Sequence, residues 1–157
     1  MTRFFVVPQW QGSPAARAMH LVDGAEAIAG DLPRASTARV EVPASAGEAL
    51  DTGIRRFSAL SHTAAALREA LAAHEGPTGD GDGDENFLVI GGDCGVAVPA
   101  IAHAAARRGA LDDSLAVVWF DAHGDLNTPD TSPSGAFAGM ALRAVIDDLP
   151  LEGSGAV

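Results

Sequence analysis

Asp121-Ala122-His123-Gly124-Asp125 places two carboxylates and an imidazole at alternate positions of a 157-residue chain. Where the backbone runs extended, a period of two puts Asp121, His123 and Asp125 on one face. Such a trio suits a divalent cation such as Mn²⁺, Fe²⁺ or Zn²⁺. Without a cation, carboxylates this close repel, and one must take up a proton. Ala122 and Gly124 are small enough to leave room for further ligands or a substrate. The spacing alone fits an ordinary polar loop, with Asp at turn positions, equally well.

A second cluster is Gly91-Gly92-Asp93-Cys94. Paired glycines let a backbone turn sharply and approach another group closely. Cys94 then reaches the same crevice as Asp121 if the strands before the two clusters are neighbours. A lone cysteine most often behaves as a small buried apolar residue. No Gly-Lys-Ser/Thr follows the glycines, which excludes a phosphate loop. The alternating Asp and Gly of residues 76–85 invite a calcium loop. Starting at Asp80, however, the sixth and twelfth positions hold Glu85 and Gly91 where Gly and Glu are needed. This stretch reads as a flexible, acidic, solvated connector.

The elements that must carry these clusters follow from periodicity. Phe4–Val7 reads as a first strand, Pro14–Val22 and Ala25–Ala29 as short helices, and Val40–Val42 as a weak second strand. Ile54, Phe57, Leu60, Ala64, Leu67 and Leu71 recur at three- and four-residue spacing, which predicts one face of a long helix. The continuous apolar runs Phe87–Ile90 and Leu115–Phe120 predict strands buried on both faces of a parallel sheet. Helices are expected at Val96–Arg108 and Met140–Leu149. Alternating strands and helices specify an α/β fold, whose chemistry sits at the carboxyl ends of the strands. Both clusters fall there. His20, His62, His74 and His103 lie within or at the ends of helices and read as surface or structural residues.

Charge and composition bound the function. Ten basic residues against 21 acidic ones leave a net charge of −11, which repels a phosphate backbone and argues against nucleic-acid binding. Hydrophobic residues at 47% predict a packed core in a single domain over residues 1–157. No stretch is long and apolar enough to span a bilayer, so no membrane partner is expected. The single cysteine permits no internal disulfide, which suits the cytoplasm.

Taken together, Gly91-Gly92-Asp93-Cys94, Trp119-Phe120-Asp121-Ala122-His123-Gly124-Asp125 and the Asn127–Pro129 and Ser132–Gly135 loop resemble the arginase/agmatinase (ureohydrolase) family. The resemblance covers about Phe87 to Met140. It implies a three-layer α/β/α fold with a mainly parallel sheet and a dinuclear manganese site. In that family a hydroxide held between the metals attacks the central carbon of a guanidinium or related amidine, breaking a non-peptide C–N bond. By position, Asp121 would bridge both metals, His123 would hold one and Asp125 the other. Cys94 stands where the family has its first metal-binding histidine, and Asn127 and Ser134 match positions that hold the amino-acid end of an arginase substrate. The resemblance also implies a small guanidino or amidino substrate and association into homo-oligomers.

Three departures qualify these expectations. Cys94 is softer than imidazole, which moves preference from Mn²⁺ toward Zn²⁺ or Fe²⁺, or takes the residue out of the shell. Ala136 and Ala138 stand where arginases carry an amide and a proton-shuttling histidine, and loss of a positioned acid–base group typically costs ~10²–10⁴ in rate. The family's later Asp-x-Asp pair has no counterpart after Asp125. The expectation is therefore the amino-terminal part of a metal-dependent ureohydrolase, apparently truncated. Its competitor is a catalytically inactive metal-binding or interaction module of the same descent.

Overall fold

Alternate side chains of strand β1 (Arg3–Val7) serve two different helical layers. Phe5 and Val7 point to one face, where they pack with Leu67 and Leu71 of helix α2 (Phe57–His74). Phe4 and Val6 point to the other, against Ala25 and Ala29 of helix α1 (His20–Gly30). The computed structural model describes residues 2–74, 86–110, 114–147 and 149–151. The acidic connector expected at 76–85 lies outside the described residues.

Strand β2 (Thr37–Arg39) and strand β3 (Phe87–Gly91) both run parallel to β1, in the order β2-β1-β3. Phe5 lies opposite Ala38 on one side and Val89 on the other. The chain thus moves outward to β2 and then crosses to the far side of β1. The carboxyl ends of β1 and β3 flank the place where strand order reverses, where parallel sheets open a crevice. Helix α3 (Ala97–Ala110) follows a single tight turn, Cys94–Val96, and packs His103 edge-on against Phe87 at 5.5 Å. Helix α4 (Ala141–Ile146) buries Ala141, Ala144 and Val145 completely, in one cluster with Val98 of α3 and Leu60 of α2. Helices on both faces of a parallel sheet are the three-layer arrangement expected.

Four expectations are corrected. One helix, α1, replaces the two short ones, and Pro14–Met19 forms turns closed by Ala18 N–H to Ala15 O and His20 N–H to Arg17 O. Gly24 inside α1 has open space around it, and one such glycine costs a helix only ~1 kcal/mol. Strand β2 precedes Val40–Val42, although Val40 N–H still donates to Val6 O at 2.9 Å. Ile54 is fully buried but lies ahead of α2, because Leu50, Asp51 and Arg56 adopt φ of 48°, 57° and 62°, which a right-handed helix does not admit.

The fourth correction is the largest. Leu115–Phe120 is not a buried strand: it lies outside the three-stranded sheet. Leu115, Val117 and Trp119 are half-buried, while Val118 is 74% and Phe120 94% exposed. A strand needs a neighbour to satisfy its backbone. Among the described residues β3 pairs only with β1, so this run is held by side-chain packing, with Trp119 against the α2–α3–α4 cluster.

Candidate metal centre

Gly91, the last residue of β3, and Gly92 after it let this end lie against the end of β1. Gly92 N–H donates to Val7 O at 3.1 Å, and Asp93 N–H to Gln9 O at 3.0 Å. A Cβ on Gly92 would stand 1.7 Å from Gln9 O, so no other residue fits. Asp93 then acts as a clamp. Its Oδ1 accepts from Gln9 Nε2 at 2.8 Å and from Gly95 N–H at 3.0 Å, and its Oδ2 from Gly12 N–H at 2.8 Å. Burial holds this carboxyl above the usual range, against the opposing pull of those hydrogen bonds and the Arg56 guanidinium. Asp93 stands within its sequence cluster with no role assigned to it there, and Gln9 was not singled out. The available signal was an Asp directly before a helical turn, where its side chain caps Gly95.

Cys94 is fixed between two clamped neighbours and directs its sulfur at the second cluster. Sγ donates to Asp121 Oδ2 at 3.7 Å. Asp121 Oδ1 accepts the backbone N–H of His123 at 2.8 Å, and that bond is the main reason its carboxyl sits below the usual range. Asp125 has φ of 49°, a conformation that Asp and Asn tolerate better than most residues. Its carbonyl accepts Arg143 N–H of α4 at 2.9 Å, so α4, packed on α3, anchors it. A further bond, Ala138 N–H to Gly12 O at 3.0 Å, ties the loop before α4 to the end of β1.

Ligand atoms of Cys94, Asp121 and Asp125 lie within 4.8 Å of one another. Asp125 is only 6% exposed, yet its Oδ2 is buried with no hydrogen-bond partner. A buried anionic oxygen without a donor is costly unless a cation meets it. Burial raises the Asp125 carboxyl, a hydrogen bond from the Cys94 thiol partly offsets this, and the Asp121 charge raises it again. The pair is thus set apart: Asp121 ionises readily while Asp125 holds its proton longer. These three groups fit one divalent ion. Among the described residues they do not fit a pair, because three ligands converge and the His123 side chain is 84% exposed, with Nδ1 3.4 Å from Asp121 Oδ1.

The remaining sequence candidates lie on the neighbouring loop and make local bonds. Asn127 Oδ1 accepts from Thr131 Oγ1 at 3.3 Å, and Ser134 Oγ accepts from Ala136 N–H at 3.2 Å. Both residues are exposed.

Burial and the carboxylates of Asp125, Asp121 and Asp93 push the Cys94 thiol up to about 12. A raised thiol pKa means the neutral form persists through physiological pH, and alkylation needs the thiolate. In metal-free protein at pH 8, iodoacetamide should modify Cys94 roughly 10³-fold more slowly than an ordinary cysteine. The rate should climb steadily as the pH approaches the raised pKa. Labelling at the rate of a small free thiol, followed by mass spectrometry, would contradict this picture.

A model of the arginase family matches residues 16–155. An arginase of Staphylococcus aureus (strain COL) is 43% identical over 65 residues, 41% of this chain and 20% of that one. An arginase of Bacillus subtilis (strain 168) is 51% identical over 55 residues, 35% of this chain and 17% of that one. The structure of Entamoeba histolytica arginase in complex with L-ornithine matches with a TM-score of 0.71 at 24% identity, over 92% of this chain and 49% of that one. Bacillus caldovelox arginase matches with a TM-score of 0.66 at 26% identity, over 99% and 52%. The chain spans about half the length of the arginase structures it matches.

Proposed function

Because this chain belongs to the arginase family, we propose that it is a divalent-metal-dependent hydrolase of non-peptide C–N bonds in linear amidines. Its substrate would be a small guanidino or amidino compound and its setting the cytoplasm, and manganese is the metal the family implies. The observation that carries the reading is the convergence of Cys94, Asp121 and Asp125 at the carboxyl edge of a parallel sheet, with one buried carboxylate oxygen unmatched. These three side chains would hold the ion, with His123 joining through rotation of its ring from beside Asp121.

A divalent ion there would make hydroxide available near neutral pH and polarise the amidine. The chain's own residues orient what surrounds it. Asp121, ionised and braced by the His123 N–H, offers a fixed negative oxygen to a cationic guanidinium. Ser134 Oγ is engaged as an acceptor and Asn127 Oδ1 likewise, so each keeps hydrogens free to donate to the anionic end of a substrate. Hydrolysis adds water across the C–N bond, and the departing nitrogen takes a proton. Ala136 and Ala138 cannot supply it, which leaves that proton to come from solvent.

The same two alanines, with a ligand set sufficient for one ion, favour the second reading of a non-catalytic metal-binding module. Purified chain incubated with Mn²⁺ or Zn²⁺ and a panel of guanidino and amidino compounds separates the two. Urea or ammonia release above a metal-only control, lost in Asp121→Asn, is the expected result. Release no greater than that control would overturn the hydrolase reading and leave the metal-binding module standing.

A further inference from the structure

Cys94 occupies an odd place for a residue that merely fills space. A cysteine used only as a small hydrophobe sits among carbon atoms. Cys94 packs at the margin of the α2–α3–α4 cluster, yet its Sγ also faces the carboxylates of Asp121 and Asp125. Its direction is imposed by the backbone, since Asp93 N–H and Gly95 N–H on either side are both bonded within the Asp93–Gln9 clamp. Across from it, Asp125 Oδ2 is buried and has no donor. A sulfur and two carboxylate oxygens held within 4.8 Å, one of those oxygens unmatched, make a donor set of mixed softness.

We propose that Cys94 enters the coordination shell as a thiolate beside Asp121 and Asp125, making this a one-ion, thiophilic centre that takes Zn²⁺ in preference to Mn²⁺. The proposal rests on the reading of these residues as a metal centre and specifies which ion that centre selects. Thiolate ligands favour zinc, whereas Mn²⁺ is best served by hard oxygen donors and stands lowest in the divalent affinity order. Three protein ligands are also the number zinc uses where one position stays open to solvent or substrate. On binding, the S–H bond breaks, a sulfur–metal bond forms, and one proton passes to the buffer.

Co²⁺ is the probe, because sulfur ligation gives it an intense near-ultraviolet charge-transfer band that oxygen and nitrogen ligands do not. Anaerobic titration of the full chain with Co²⁺ should develop that band with a one-to-one endpoint. Zn²⁺ should erase it near stoichiometry, and Mn²⁺ should need at least ~10²-fold more. Cys94→Ser should bind Co²⁺ without the band and lose at least tenfold in Zn²⁺ affinity, while its Mn²⁺ affinity stays within a few-fold of the parent. Cys94→His should narrow the zinc preference. Co²⁺ bound with no charge-transfer band, or Mn²⁺ displacing it as readily as Zn²⁺, would overturn the thiophilic assignment alone. Failure of Co²⁺, Zn²⁺ and Mn²⁺ all to bind would overturn the metal centre itself.

Discussion

Asp93→Ala should lower the stability of the fold by about 3 kcal/mol or more, because three donors lose the acceptor they share in a dry environment. Gln9 Nε2 and the backbone N–H groups of Gly12 and Gly95 all converge on this one carboxylate, which is 6% exposed. A stranded buried donor costs ~1–3 kcal/mol, and removing one partner of a buried charged cluster costs ~3–5 kcal/mol. For a chain of this size each kcal/mol moves the melting temperature by roughly 2–4 °C, so a drop of about 10 °C is expected by circular dichroism. A shift of 1 °C or less would mean that the clamp contributes nothing. Asp93→Asn keeps one oxygen acceptor and should fall between. It also has a pH signature. Because burial raises the Asp93 carboxyl, its proton stabilises the folded state below the unfolded pKa, and that contribution is lost as pH rises through the folded one. Asp93→Asn should therefore gain on the parent across that interval.

Asp125→Asn should produce the second large effect, on metal affinity and in the opposite relation to stability. Asn is isosteric and tolerates the φ of 49°, so the backbone bond to Arg143 survives. The change removes a buried charge and its repulsion with Asp121, the causes that raise the Asp125 carboxyl. Metal-free stability should stay level or increase. Affinity for Zn²⁺, by competition with a chelating dye, should drop at least ~10²-fold, since loss of a mere outer-shell partner already costs 10- to 100-fold. Affinity within threefold of the parent would remove Asp125 from the ligand set. Reduced stability with unchanged affinity would assign it a purely structural role.

The features legible in sequence were those written in contiguous residues. Phe4–Val7 and Phe87–Ile90 announce strands because four apolar side chains in a row fit a parallel sheet. Leu88 of β3 is nonetheless 51% exposed, so that strand is not buried on both faces as expected. The Asp121–Asp125 segment declared its chemistry by residue type, and the helical period of α2 located a buried face correctly from Leu60 to Leu71. Features that depend on distant partners were hidden. Asp93 reaches Gln9 and Gly12 across 84 and 81 positions, so nothing in its own neighbourhood names them. Leu115–Phe120 has the apolar content of a strand, but content reports a wish for burial and says nothing of an available neighbour. His123 shares a sequence period with Asp121 and Asp125, yet the segment bends at Ala122–His123 and Asp125 has a positive φ. The His123 ring faces solvent, while a cysteine 29 positions earlier joins the two carboxylates. That Cys94 and Asp121 would meet required knowing how the ends of β1 and β3 are tied together.

The one-sided pairing of β3 among the described residues has a colloidal consequence. Leu88, Val118 and Phe120 are exposed apolar side chains, and among the described residues β3 has a strand partner on one side only, the kind of margin along which polypeptides stick. Eleven surplus negative charges oppose that tendency by keeping copies apart. Mutual repulsion reaches only as far as the ionic atmosphere allows, about 10 Å in 0.1 M salt and about 3 Å in 1 M. Dispersal of this protein is therefore an electrostatic property, and brine should coagulate it where dilute buffer keeps it clear.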